Sequence, residues 1–107
     1  MNETRERAAM STLILINPFE VPAGQEEAAL KFWEQAAEYM RRQPGYISTR
    51  LHKAISPGVR FTYVNIAEWE SAEHFQAAIS RDEFKKLTER SQERFPHYPA
   101  LYTVIRT

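Results

Sequence analysis

Thr12-Leu13-Ile14-Leu15-Ile16-Asn17-Pro18-Phe19 is a near-continuous apolar run that ends in a polar residue and a proline. A strand with one wet face alternates apolar and polar side chains. Here successive residues are apolar, so both faces are covered, and the strand belongs in the middle of its sheet. After the turn residues Pro22 to Gly24, the segment Gln25 to Arg42 places Ala29, Phe32, Trp33, Ala36, Ala37, Tyr39 and Met40 at helical spacing. Acids near its start and arginines near its end suit the helix dipole, and Pro44-Gly45 stops it.

The remaining elements follow from turn and cap signals. Tyr46 to Ala54 alternates Ile47, Thr49 and Leu51 against Tyr46, Ser48 and Arg50, and Ser56-Pro57-Gly58 turns the chain into a partner strand, Val59 to Glu70. Ser71 caps a short helix running to about Ile79. Ser80 and Glu83 read as a capping box opening another helix to about Glu93. Pro96 and Pro99 precede a last strand, Ala100 to Arg106. The order βαββαβ, with the last helix broken, predicts an α+β, ferredoxin-like domain with an antiparallel sheet. Residues 1–10 read as a disordered extension and 11–107 as the domain. Helices on one face of such a sheet leave the other bare. With Val64, Ile66, Leu101 and Ile105 assigned to that face, a homodimer through the sheet is expected.

Composition narrows the function. Fourteen basic residues balance 14 acidic ones, and they are interspersed, which argues against the clustered basic surface that nucleic acid requires. The chain has no cysteine, so disulfides, thiolate catalysis, iron-sulfur clusters and cysteine zinc sites are excluded. No apolar run reaches the length of a membrane span, and a cytoplasmic location is expected. His52, His74 and His97 are widely separated and lack metal-ligand spacing, and His97, in Phe95-Pro96-His97-Tyr98-Pro99, reads as solvent-facing. The three glycines, at 24, 45 and 58, are isolated turn residues rather than a phosphate cradle, so neither a metal nor a nucleotide cofactor is expected.

Two asparagines stand out. Phe61, Tyr63, Asn65, Ala67 and Trp69 share one face of the third strand. Asn65 between Val64 and Ile66 runs against strand propensity and needs hydrogen bonds if buried. Asn17 is the same anomaly on the parity of Leu13 and Leu15. Two amides and an indole N–H in a helix-covered interior make up a mostly apolar pocket with a few fixed polar groups. Each also has a plainer reading: Asn17 closing a strand end, Asn65 at a bulge, Trp69 as a core plug.

The sequence resembles the antibiotic biosynthesis monooxygenase family of the dimeric α+β barrel group from Thr12 to Arg106. The resemblance rests on Ile14-Leu15-Ile16-Asn17-Pro18-Phe19, Pro44-Gly45-Tyr46, and Tyr63-Val64-Asn65-Ile66-Ala67-Glu68-Trp69-Glu70-Ser71 followed by Phe75. It implies a dimeric α+β barrel and oxidation of a small aromatic, anthrone-type substrate by O2 without a cofactor. Asn17, Asn65 and Trp69 would be catalytic, and Trp33, Tyr63, Phe75 and Phe84 would bind the substrate. Phe75 stands where some anthrone oxygenases carry a tyrosine, and Thr88 where haem-degrading relatives carry an iron-ligating histidine. The alternatives are another small-molecule enzyme of the group, quinone-linked or signal-degrading, a haem-binding protein, or a non-catalytic dimeric binding module.

Overall fold

The computed structural model describes residues 12–89 and 95–107. The proposed extension at 1–10 and the end of the helix expected to reach Glu93 lie outside the described residues. The elements are β1 (Leu13–Phe19), α1 (Glu26–Arg41), β2 (Tyr46–Lys53), β3 (Tyr63–Trp69), α2 (Ala72–Ile79), α3 (Asp82–Glu89) and β4 (Ala100–Thr103). The sheet runs β2-β3-β1-β4 with every neighbour antiparallel, so the α+β ferredoxin-like fold and the central place of β1 are both observed.

Leu15, Asn17 and Phe19 of β1 oppose Ala67, Asn65 and Tyr63 of β3, and directly opposed side chains share a face. The helices cover that face. Leu15, Ala67, Trp69, Phe75 and Ala78 form one buried cluster, and Phe19, Ala29, Tyr63 and Phe95 form a second. Tyr39 of α1 is fully buried and its hydroxyl donates to the Ala78 carbonyl at 2.7 Å, tying α1 to α2. The bare face carries Ile14, Ile16, Val64, Ile66 and Tyr102, with Ile66 37% and Tyr102 50% exposed.

Several local expectations are corrected. Leu101 pairs with Leu15 and packs on the first cluster, so it faces the helices, and Ile105 lies beyond the end of β4. β4 stops at Thr103 because its partner begins at Leu13, the residue opposite. β3 starts at Tyr63 rather than Val59, where both neighbouring strands also end, at Phe19 and Lys53. A bulge between Tyr46 and Ser48 takes Ile47 out of the ladder, so Tyr46 shares the inner face with Thr49 and Leu51. The Ser80 capping box does not form. Its hydroxyl donates back to the Gln76 carbonyl at 2.6 Å, and Ser80 terminates α2 instead. Ser71 caps α2 as expected, accepting from the His74 N–H.

Gly45 joins α1 to β2 at φ +87°, and a Cβ there would strike the His74 side chain. Gly24 has a similar φ of +85° with open space around it. Gly24→Ala should therefore cost about 1 kcal/mol of left-handed strain. Gly45→Ala adds a steric clash and should cost about 3 kcal/mol in all. Urea unfolding of the two variants checks the difference.

Candidate active site

A cavity of about 650 Å³ lies between the sheet and the helices and separates the two buried clusters. Its floor is Leu15, Asn17, Phe19, Asn65, Ala67 and Trp69, and α1 contributes Phe32, Trp33, Ala36, Ala37 and Met40. Ala36, Ala37 and Ala67 in its wall are small and fill little of that space. Gln76 and Ile79 of α2 and Phe84, Lys85 and Thr88 of α3 complete the wall, with Lys85 its single charged residue among those described.

Asn65 is 8% exposed and sits at the centre of the polar floor. Its Oδ1 accepts from Trp33 Nε1 at 3.2 Å and from Thr49 Oγ1 at 2.6 Å. An indole nitrogen can only donate, so the contacted amide atom is the oxygen. The Asn65 N–H2 makes no hydrogen bond to a described residue and belongs to the cavity wall. This is an oriented donor. Asn17 lies directly opposite on β1, its Nδ2 donating to His97 Nδ1 at 3.4 Å, while its Oδ1 is buried without a partner.

Trp69 is gripped edge-on by Tyr46 and Phe75, with centroids 5.8 and 5.5 Å away. Its indole N–H makes no hydrogen bond to a described residue, and its ring lines the cavity. The structure thus brings Asn17, Asn65, Trp69, Trp33, Phe75 and Phe84 to one cavity. Tyr63 is elsewhere: it is buried with Phe19, Ala29 and Phe95 and does not line the cavity, and burial pushes its phenol pKa up. Phe19, directly opposite Tyr63 on β1, lines the cavity at that level, so the cavity's edge there falls between the two strands.

His97 corrects the solvent-facing expectation. It is half-buried, stacks on Phe19 and lines the cavity, and desolvation holds its pKa below the usual value. Thr49 was visible only as a strand residue, and its role depends on the cross-strand neighbour it meets. His74 is bonded through Nδ1 to Ser71 Oγ at 2.7 Å and does not line the cavity. Among the described residues no three His, Asp or Glu side chains gather as a metal site would require, and no helix is long and apolar enough to cross a membrane.

Residues 12–90 match the antibiotic biosynthesis monooxygenase family. The chain belongs to that family. A candidate monooxygenase from Shewanella loihica PV-4 is 41% identical, with 91% of this chain and 97% of that one aligned at a TM-score of 0.77. SnoaB from Streptomyces nogalater, a cofactor-independent oxygenase, is 23% identical over 91% of this chain and 96% of its own, also at 0.77, and shares the fold. A candidate antibiotic biosynthesis monooxygenase from Nitrosomonas europaea, 13% identical, covers 89% of this chain and 91% of its own at 0.74. No curated protein matches the chain. Family membership and the likeness to the Shewanella protein support a monooxygenase-type activity on a small molecule.

The floor also makes a stability prediction. Thr49→Val and Trp33→Phe each leave Asn65 Oδ1 one donor, and each should cost about 1 kcal/mol in hydrogen bonding. The double variant orphans a buried acceptor, so in urea unfolding its loss should exceed the sum of the two.

Proposed function

We propose that the protein is a cofactor-independent monooxygenase that oxidises an anthrone-type aromatic substrate with O2 inside this cavity. The observation that carries the reading is the pair of asparagines facing each other across β1 and β3 on the floor of an apolar chamber, with Trp69 on the same face. An anthrone has an acidic methylene between aromatic rings, and loss of a proton leaves a delocalised carbanion able to reduce oxygen. The carbanion and O2 combine to a peroxide anion, which takes back a proton to become a hydroperoxide. That species loses water to give the ketone, so one oxygen atom enters the product, the other leaves as water, and the substrate supplies all the electrons.

Such chemistry asks the protein for a dry slot and for donors aimed where negative charge develops. The Asn65 N–H2, its oxygen held by Trp33 and Thr49, meets that requirement without reorganising. Asn17 adds a second amide beside it, and Trp69 supplies an aromatic surface and an indole N–H. Trp33, Phe75 and Phe84 would flank the substrate. Tyr63 would act only from behind the wall.

The reading includes a homodimer. The bare sheet face is apolar at Ile14, Ile16, Val64, Ile66 and Tyr102, and a second copy of the same face would cover it by two-fold symmetry. Ile66→Lys places a charge in the middle of that patch. Analytical ultracentrifugation should give a dimer for the wild type and a monomer for the variant, and a monomeric wild type would refute the pairing.

For the activity, metal-stripped and flavin-free protein is supplied with a simple anthrone while oxygen uptake is recorded. Uptake should exceed the spontaneous rate. Removing the amide donor in Asn65→Ala should lower kcat by roughly 100-fold or more, the usual cost of losing one oxyanion donor. Trp69→Phe should lower it as well. Unchanged turnover in Asn65→Ala would remove the main support for this assignment.

A further inference from the structure

The end of β1 that carries Asn17 is pinned to the segment before β4. Glu20 N–H donates to the Pro96 carbonyl at 2.8 Å, Tyr98 N–H donates to the Pro18 carbonyl at 3.1 Å, and Phe19 bridges to His97. The His97 ring lies over Phe19 with centroids 5.4 Å apart and planes within 9°. Held that way, Nδ1 faces Asn17 Nδ2 at 3.4 Å. An amide N–H2 only donates, so this Nδ1 is the bare nitrogen of a neutral imidazole whose proton sits on Nε2.

We infer that His97 is a positioning residue: as a neutral ring it keeps the N–H2 edge of Asn17 at the cavity beside Asn65, and as a cation it turns that amide over. Oδ1 of Asn17 is shut off from solvent and has no partner. The edge that reaches the cavity is therefore the one beside His97, which lines the same cavity. An imidazolium carries hydrogen on both nitrogens and would oppose Asn17 donor to donor. Half a turn about the terminal side-chain bond removes that conflict and gives the oxygen a donor, while the N–H2 takes the buried position that the oxygen held. The turn also replaces an N–H2 at the cavity by an oxygen, which repels the negative charge developing there.

Among the described residues, few charges surround His97. From β1, His97 meets Asn17 and Phe19, neither charged. At the strand end the Glu20 carboxylate is occupied by Arg60 at 2.8 Å and the Tyr98 hydroxyl at 2.9 Å, which hold its pKa down, the hydroxyl more than the guanidinium. On α3, Lys85 lines the same cavity. Desolvation by burial lowers the pKa of His97, which favours the neutral ring near pH 7.

This inference rests on the oxygenase reading for its catalytic consequence but not for its geometry, and the test separates the two. The free protein is titrated by NMR, following the His97 ring and the Asn17 side-chain amide, beside kcat/KM profiles for wild type, His97→Phe and His97→Gln. His97 should titrate below the usual histidine range, with its Nδ1 unprotonated above the midpoint, and the Asn17 amide should move with the same midpoint. Wild-type kcat/KM should fall about tenfold per pH unit below it. His97→Phe keeps the ring stack but loses the acceptor, so it should be about tenfold slower at pH 8, the loss of one modest hydrogen bond, and should lack the acid limb. His97→Gln offers an acceptor at every pH and should recover rate without the limb. An Asn17 amide that stays fixed through the His97 titration, or an acid limb that survives in His97→Phe, overturns the inference. Absence of any anthrone turnover would sink the oxygenase reading, and the substrate-free titration would still decide the role of His97.

Discussion

The register between β1 and β3 is the constraint on which the rest depends. Because side chains alternate faces with a period of two, a one-residue slip would send Leu15, Asn17 and Phe19 outward and bring Ile14 and Ile16 in. What holds the register is apolar weight on either side of the asparagines. Leu15 with Ala67 and Trp69 anchors one end, Phe19 with Tyr63 the other. The two amides lie between these anchors, so polar groups that strand propensity disfavours are kept inside by their neighbours.

Helix α1 serves structure and site with one stripe. Tyr39 is spent wholly on the core through its bond to Ala78, whereas Trp33 reaches the sheet to hold Asn65 and Phe32, Ala36, Ala37 and Met40 face the chamber. A cavity of this size forgoes packing contacts that a filled core would make. Anchored clusters at both ends and the α1–α2 tie offset that loss. The bulge at Ile47 contributes in the same way, since it turns Tyr46 inward against the edge of Trp69.

Features set by neighbours in the chain were legible in the sequence. The unbroken apolar run of β1, the stripe of α1, the hairpin and the Ser71 cap all follow from local spacing, and the order βαββαβ follows from them. Asn17 and Asn65 could be singled out because amides in strands are costly, and Trp69 because strand parity places its indole on the face of Asn65. Features set by partners distant in the chain could not be read. The face of Leu101 depends on its pairing with Leu15, and the end of β4 on where β1 begins. Thr49 and His97 acquire their roles from side chains 16 and 80 residues away. Tyr63 shows the limit of parity, which gives the face of a strand but not which residues on that face a cavity reaches.

Asn65 and Trp69 are four residues apart on a single strand, a separation of about 13 Å between their backbone positions. Asn17 stands directly across from Asn65, so both amides sit at one end of that interval and the indole at the other. Strand β3 is in effect a ruler laid along the chamber floor. On the proposed oxygenase reading, a fused, multi-ring compound lying along the strand would have its long axis set against that interval. Any size preference set this way would come from backbone rise and need no moving part.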